Sequence, residues 1–268
     1  MKKFLYLILL GLVIGSTSCK TEFEKIRTQG TPEAQLSKAN EYLGESDCYK
    51  AKTLYENIIG AYRGKPEQEL IYFKYAKSHY CMEDYFRAAS YFRDFTITYP
   101  NSKNREEAAF LVAYSYYNMS PSFRLSQDNT QKAIDEFQLF INSYPNSERV
   151  TESNDIIDKC RKKLETKAYD QAKLYYDLKQ YQSATVSFEN LLQEFPETPN
   201  AENIRFLMSK AAFNWAAKSI IEKEEERYVT AAKYANKFLK KYKDSTYTRE
   251  VKTILEDSNL KLKEIRNE

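Results

Sequence analysis

Enzymatic chemistry and metal binding need polar and nucleophilic side chains held close together, and this sequence offers few of the right kinds. It has one histidine, His79, and four cysteines, Cys19, Cys48, Cys81 and Cys160. A Ser/His/Asp or Cys/His nucleophile would have to use His79 as its base, and the neighbouring residues KSHYCMED contain no recognisable nucleophile motif. A zinc site with a single histidine would need an unusual ligand set. The acidic run at residues 222–226, with Arg227 after it, has the order Glu-Lys-Glu-Glu-Glu-Arg, which reads as a solvated helix end or loop and not as a carboxylate site. The sequence therefore predicts no catalytic residue, no cofactor and no metal, and the chain reads as a non-enzyme.

The remaining chemistry is thiol and charge. In an exported protein disulfides persist, and Cys48 and Cys81 fall at helix ends that meet if neighbouring helices run antiparallel. The alternatives are a Cys48 to Cys81 bridge or two buried thiols. The chain has 41 basic and 38 acidic residues. Setting aside residues 1–18, which contain Lys2 and Lys3 and no acid, leaves 39 against 38, a net +1 that gives no electrostatic case for nucleic acid. Lys237, Lys240, Lys241 and Lys243 lie where a helix ends. There they meet its negative pole, and the same patch suits an acidic partner or lipid headgroups.

What positions these residues is a repeated helix. In residues 130–147, TQKAIDEFQLFINSYPNS, the residues Ala133, Phe137, Phe140 and Tyr144 stand at 0, +4, +7 and +11, one narrow stripe of a helix that Pro145 ends. The frame recurs at Ala51, Tyr55, Ile58, Tyr62; at Ala88, Phe92, Phe95, Tyr99; at Ala184, Phe188, Leu191, Phe195; and at Ala231, Ala235, Phe238, Tyr242. The alanines are 37, 45, 51 and 47 residues apart. That spacing leaves room for one more helix and two turns per unit, as a helix-turn-helix repeat with insertions requires. The expected fold is all-α, a solenoid of about five helix pairs with a C-terminal capping helix.

In chain order, residues 1–18 read as an export signal: two lysines, an apolar run at residues 4–14 too short to span a bilayer, and small polar residues. Ser16-Thr17-Ser18-Cys19 resembles the lipobox of bacterial lipoproteins. That resemblance makes Cys19 the acylated anchor, whereas an ordinary signal peptide cut near Ser18 would release a soluble protein with a free thiol. Residues 19–31 read as a polar tether, residues 32–150 as repeats one to three, and residues 151–268 as repeats four and five with the capping helix. Helices are expected at about 33–44, 48–62, 66–82, 85–99, 106–119, from 130, at 149–178 and 181–195, a pair within 201–242, and at 246–266. Residues 120–129, SPSFRLSQDN, insert a loop into the third pair.

The repeats resemble tetratricopeptide repeats. The block from Pro121 through Gln127, Thr130-Gln-Lys-Ala133-Ile134, Phe137-Gln-x-Phe140-Ile141 and Tyr144-Pro-Asn-Ser147, together with Cys19 and the second Tyr-Pro-Asn-Ser at residues 99–102, resembles the BamD family of the outer-membrane β-barrel assembly machinery. The likeness covers nearly the whole mature chain, strongest over residues 67–150 and weak after residue 200. It implies a non-enzymatic, lipid-anchored scaffold on the periplasmic face of the outer membrane. Such a scaffold docks the periplasmic domains of a BamA-like barrel subunit through its C-terminal repeats and contacts unfolded outer-membrane proteins through its N-terminal ones. Two other classes use such repeats. A division-linked, Tol-associated adaptor usually carries an N-terminal coiled coil, for which residues 20–31 are too short. A glycan-binding outer-membrane lipoprotein displays aromatic platforms outside the repeats, whereas Trp215 stands in a repeat helix.

Overall fold

The alanine heading each apolar stripe limits how closely the next helix can approach, and in the computed structural model, which describes residues 21–267, all five are fully buried. Among the described residues there are twelve helices and no strand. They are α1 (Glu22–Gln29), α2 (Pro32–Gly44), α3 (Cys48–Ile58), α4 (Glu67–Cys81), α5 (Tyr85–Thr98) and α6 (Arg105–Asn118), followed by α7 (Asp128–Ser143), α8 (Val150–Asp177), α9 (Tyr181–Glu194), α10 (Ala201–Ala216), α11 (Ile221–Lys241) and α12 (Thr248–Asn267).

These form two compact units. The first runs to Ser120 and includes Asp128–Ile157; the second combines Pro121–Gln127 with the residues from Asp158 onward. In the first, every helix from α3 to α7 packs on its predecessor; in the second, α10 packs on α9, α11 on α10 and α12 on α11. Ala172 of α8 shares a core with Ala184 and Phe188 of α9. The architecture is thus all-α, five helix pairs of tetratricopeptide type and a terminal α12 that buries Val251, Ile254 and Leu262.

Beside each small alanine the +4 and +7 side chains fill the gap between helices. Phe92, Phe95, Phe137, Phe140, Phe188 and Phe238 are fully buried, each contributing roughly 1.5–3 kcal/mol. The +11 residue then closes the helix end. Tyr99, Phe195 and Tyr242 share nearly one backbone geometry (φ −122° to −124°, ψ 68° to 76°). Tyr99 and Tyr242 each lay a ring 5.1 Å from the +7 phenylalanine. Pro100 and Pro196 disfavour helical geometry in the residue before them. Tyr242 adopts it ahead of Lys243, so proline reinforces the stop but is not required for it.

Three hairpin turns use an unexpected residue type. Ser46, Glu83 and Lys179 lie in the left-handed region at φ 62°, 60° and 60°. They let the next backbone N–H reach back across the turn, from Asp47 to the Tyr42 carbonyl (2.8 Å), Asp84 to His79 (3.0 Å) and Gln180 to Tyr175 (2.9 Å). This is the Schellman closure, usually built on glycine.

A second device ties three of the pairs to the turn that follows them. The hydroxyls of Ser102, Ser147 and Thr198 accept from the backbone N–H two residues on, at 3.0, 3.1 and 3.2 Å. Each also donates to an upstream glutamate: Ser102 to Glu69, Ser147 to Glu106 and Thr198 to Glu165, the latter two at 2.6 Å.

Part of the stretch read as a polar tether, residues 19–31, is helical. Glu22–Gln29 is a helix because Thr21 caps it, accepting from Glu24 N at 3.3 Å, and because Phe23 and Ile26, three apart, pack on the first core. Gly30 ends it where a Cβ would sit 2.5 Å from the Ile26 carbonyl oxygen. The expected helix at 48–62 stops at Ile58, and the buried Tyr62 lies in the turn beyond.

Two outcomes follow for stability. Glu83→Gly and Lys179→Gly should each raise the unfolding free energy by about 0.5–1 kcal/mol, because the left-handed penalty on an L side chain outweighs glycine's entropy; Glu83→Val should lower it, and urea titration reads both. Thr198→Val should lower stability by about 1–3 kcal/mol by stripping the buried Glu165 of its hydroxyl donor.

Candidate functional site

Cys19 lies outside the described residues. Cys48 and Cys81 open α3 and close α4, and the structure joins their sulfurs across Cα atoms 5.9 Å apart. This is inside the roughly 7 Å beyond which a bridge needs backbone movement. Cys160 is a buried thiol whose pKa burial pushes up. Exposed apolar side chains flank the bridge in sequence: Tyr49 beside Cys48, and Met82 and Phe86 just after Cys81.

His79 is buried within the first unit between Tyr75 and Tyr91, ring centroids 4.9 and 5.0 Å away. Its Nδ1 lies 3.1 Å from an Asp84 oxygen that also accepts from Arg87 at 2.7 Å, and its Nε2 is buried without a hydrogen-bond partner. Burial lowers the His79 pKa, and the Asp84 contact opposes this only in part. Burial alone would raise the Asp84 carboxyl, but hydrogen bonds from Arg87 and His79 hold it below its ordinary value. The group is a folded-in polar cluster. Among the described residues no set of three or more His, Cys, Asp or Glu is placed to hold a metal.

The acidic run occupies the exposed first turn and a half of α11, with Glu225 paired to Arg266 at 2.8 Å and Glu226 to Lys223 at 3.2 Å. Lys240 and Lys241 stand in the last turn of α11, as the dipole argument expects. The Trp215 ring is covered by Arg227, guanidinium carbon 4.3 Å from the centroid, so it is not an open aromatic platform.

Two grooves that the sequence reading missed lie at equivalent places, one per unit, each of about 180 Å³ and each between a second helix and the next pair. The first, between α5, α6 and α7, holds Arg93, Arg105, Glu136 and Phe140. Arg93 pairs with Glu136 at 2.7 Å, and Arg105 Nε donates to the Thr96 carbonyl at 3.2 Å. The second, between α9, α10 and α11, holds Glu189, Arg205, Met208, Tyr234, Lys237 and Phe238. The Tyr234 hydroxyl donates to Glu189 at 3.2 Å. Aligning the repeats on their stripe alanines exposes the equivalence, but only the folded helices reveal that three of them converge.

Residues 28–203 and 162–265 match the YfiO family, described as an outer membrane lipoprotein. A curated protein of Aquifex aeolicus (strain VF5), named "Putative outer membrane protein assembly factor BamD", is 25% identical over 206 residues, 76% of this chain and 67% of that protein. Among solved structures, the TPR2AB-domain:pHSP90-complex of yeast Sti1 aligns with 85% of this chain and 98% of its own at a TM-score of 0.41 and 10% identity.

The chain's one histidine makes the His79 cluster testable by acid. Its folded pKa lies below the unfolded value of about 6.5, so between the two the unfolded chain binds more protons. Stability is therefore complete above about pH 6.5 and falls as pH drops toward the folded pKa. Unfolding free energy measured by urea titration from pH 7.5 to 5.5 should decline in the parent chain and decline less in His79→Asn; parallel profiles would refute the assignment.

Proposed function

Because the chain belongs to the YfiO outer membrane lipoprotein family, we propose that it is a non-enzymatic, lipid-anchored scaffold of outer-membrane β-barrel assembly. The observation that carries this reading is the family match, which reaches from residue 28 to residue 265 and so spans both units. The Aquifex relative, named as an assembly factor of outer membrane proteins, supports the same role. A stack of helix pairs suits it, since such pairs present extended faces to peptides and folded domains without needing a catalytic centre.

Cys19 is the proposed anchor, on the periplasmic face of the outer membrane. No helix among the described residues is long and apolar enough to cross a membrane. Several acyl chains on one cysteine exceed the two signals stable anchoring requires. Helix α1 begins at Glu22, three residues past the anchor. At most about 3.6 Å per residue, the folded body then starts within roughly 11 Å of the lipidated residue. This short reach holds the first unit against the membrane.

The second unit docks the periplasmic domains of a BamA-like barrel subunit, and the first contacts unfolded outer-membrane proteins. Tyr49, Phe86, Ile97 and Leu139, all more than half exposed, give the first unit apolar side chains for such segments. In the oxidising periplasm the Cys48 to Cys81 bridge holds the α3 start to the α4 end.

Affinity capture from detergent-solubilised membranes should recover a barrel protein with repeated periplasmic domains, and its absence from the captured set would sink the assembly reading. Cys19→Ala should move the protein from the membrane pellet to the soluble fraction; unchanged fractionation would refute the anchor.

A further inference from the structure

The groove between α9, α10 and α11 has a repeat-equivalent counterpart that serves as its control. Arg93 and Glu189 stand eight residues after Tyr85 and Tyr181, and Glu136 and Tyr234 stand three after the stripe alanines Ala133 and Ala231. By the same count Ala109 is replaced by Arg205, Leu139 by Lys237 and Val112 by Met208, while Phe140 and Phe238 keep the apolar floor. Both grooves are therefore the same notch in two settings.

The settings differ in how positive charge is satisfied. In the first unit each arginine has an internal acceptor, Glu136 for Arg93 and the Thr96 carbonyl for Arg105. In the second unit neither Arg205 nor Lys237 forms a side-chain hydrogen bond or ion pair with any described residue, and Arg205 Nε is fully buried without a partner. The one carboxylate there, Glu189, is engaged by the Tyr234 hydroxyl and lies in no ion pair with either cation. Arg205 and Lys237 thus line the groove as two cations with no internal acceptor for either charge.

We propose that this groove receives an acidic side chain of a bound polypeptide, its carboxylate between Arg205 and Lys237 and its flanking apolar residues on Leu192 and Met208. A guanidinium whose terminal nitrogens have no internal acceptor suits a carboxylate. The apolar walls favour a Glu or Asp flanked by apolar residues over a free anion. The assignment rests on the groove and not on the assembly role, and either can fail without the other.

Beyond Met1 the methionines are Met82, Met119 and Met208, so methyl-13C methionine labelling of the mature chain gives one reporter inside the groove and two elsewhere. The probes are the blocked tripeptides acetyl-Leu-Glu-Leu-amide and acetyl-Leu-Gln-Leu-amide. The Glu peptide should shift the Met208 methyl, leave Met82 and Met119 in place, and bind about tenfold or more tightly than the Gln peptide, the scale of a charge-assisted hydrogen bond. Arg205→Gln and Lys237→Gln should each remove most of that preference, and Arg205→Lys should restore part of it, which separates lost recognition from lost folding. Equal affinity for the two peptides, a stationary Met208 signal, or a preference that survives Arg205→Gln would overturn the proposal. So would stronger binding of acetyl-Ala-Leu with a free C-terminus, which would make the occupant a chain end.

Discussion

Close approach of neighbouring helices at one small residue is the constraint on which both units depend. Ala51, Ala88, Ala133, Ala184 and Ala231 have no exposed surface, and a larger side chain at any of them would push away the helix that its +4 and +7 neighbours are shaped to fill. Overpacking of this kind typically costs about 1–3 kcal/mol. In a stack where each helix touches mainly its sequence neighbours, such a displacement is passed to the next pair instead of being absorbed by a surrounding core. The aromatic residues follow from the alanine. Because it admits the neighbour closely, a Phe at +4 or +7 meets a ring from that neighbour, as Phe137 and Phe140 meet Phe110 at 5.7 and 5.5 Å.

This constraint is periodic, and for that reason it was legible in the sequence. A small residue followed by apolar residues at fixed offsets specifies one helix face regardless of what covers it, so the five pairs and their order could be read without coordinates. The ends of three stripes were also legible, through Tyr99-Pro100, Tyr144-Pro145 and Phe195-Pro196. What was not legible is any partnership between residues far apart in the chain. The Tyr-Pro-Asn-Ser ending stands out as a motif, yet the role of Ser147 depends on Glu106, 41 residues upstream. The left-handed turns escaped notice because Ser46, Glu83 and Lys179 are not glycine, and tertiary packing of the two flanking helices overrides their preference. Helix α1 escaped because only Phe23 and Ile26 mark it as amphipathic, too few to separate a short docked helix from a polar tether.

The same reasoning explains why candidate chemistry in the sequence and candidate chemistry in the structure differ. His79 drew attention as the sole imidazole, and the fold spends it on packing, between two tyrosines and above Asp84. The lysines after residue 236 were read as one patch meeting a helix pole. The structure divides them: Lys240 and Lys241 complete the α11 terminus, whereas Lys237 turns toward a groove with Arg205. Residues one turn apart on a helix can thus belong to different tasks, and a linear cluster of charge does not say which.

Internal repetition gives this chain an unusual means of telling structural from functional polarity. At equivalent positions, packing demands are nearly the same, so a residue needed only for packing should keep its character from copy to copy. The stripe alanines do so, and so do Phe140 and Phe238. Polar residues that change together while the notch around them persists are answering to something other than packing. Arg93 and Glu136 form a self-contained pair that staples α5 to α7. In the second unit the positions of that pair hold Glu189 and Tyr234, which keep a weaker link at 3.2 Å, while two apolar positions beside them become Arg205 and Lys237. Closing the groove from within would have needed only the first pattern. Retaining a link of the same kind and adding two cations without internal acceptors leaves positive charge that the fold itself does not neutralise, and a ligand carboxylate in that groove neutralises it.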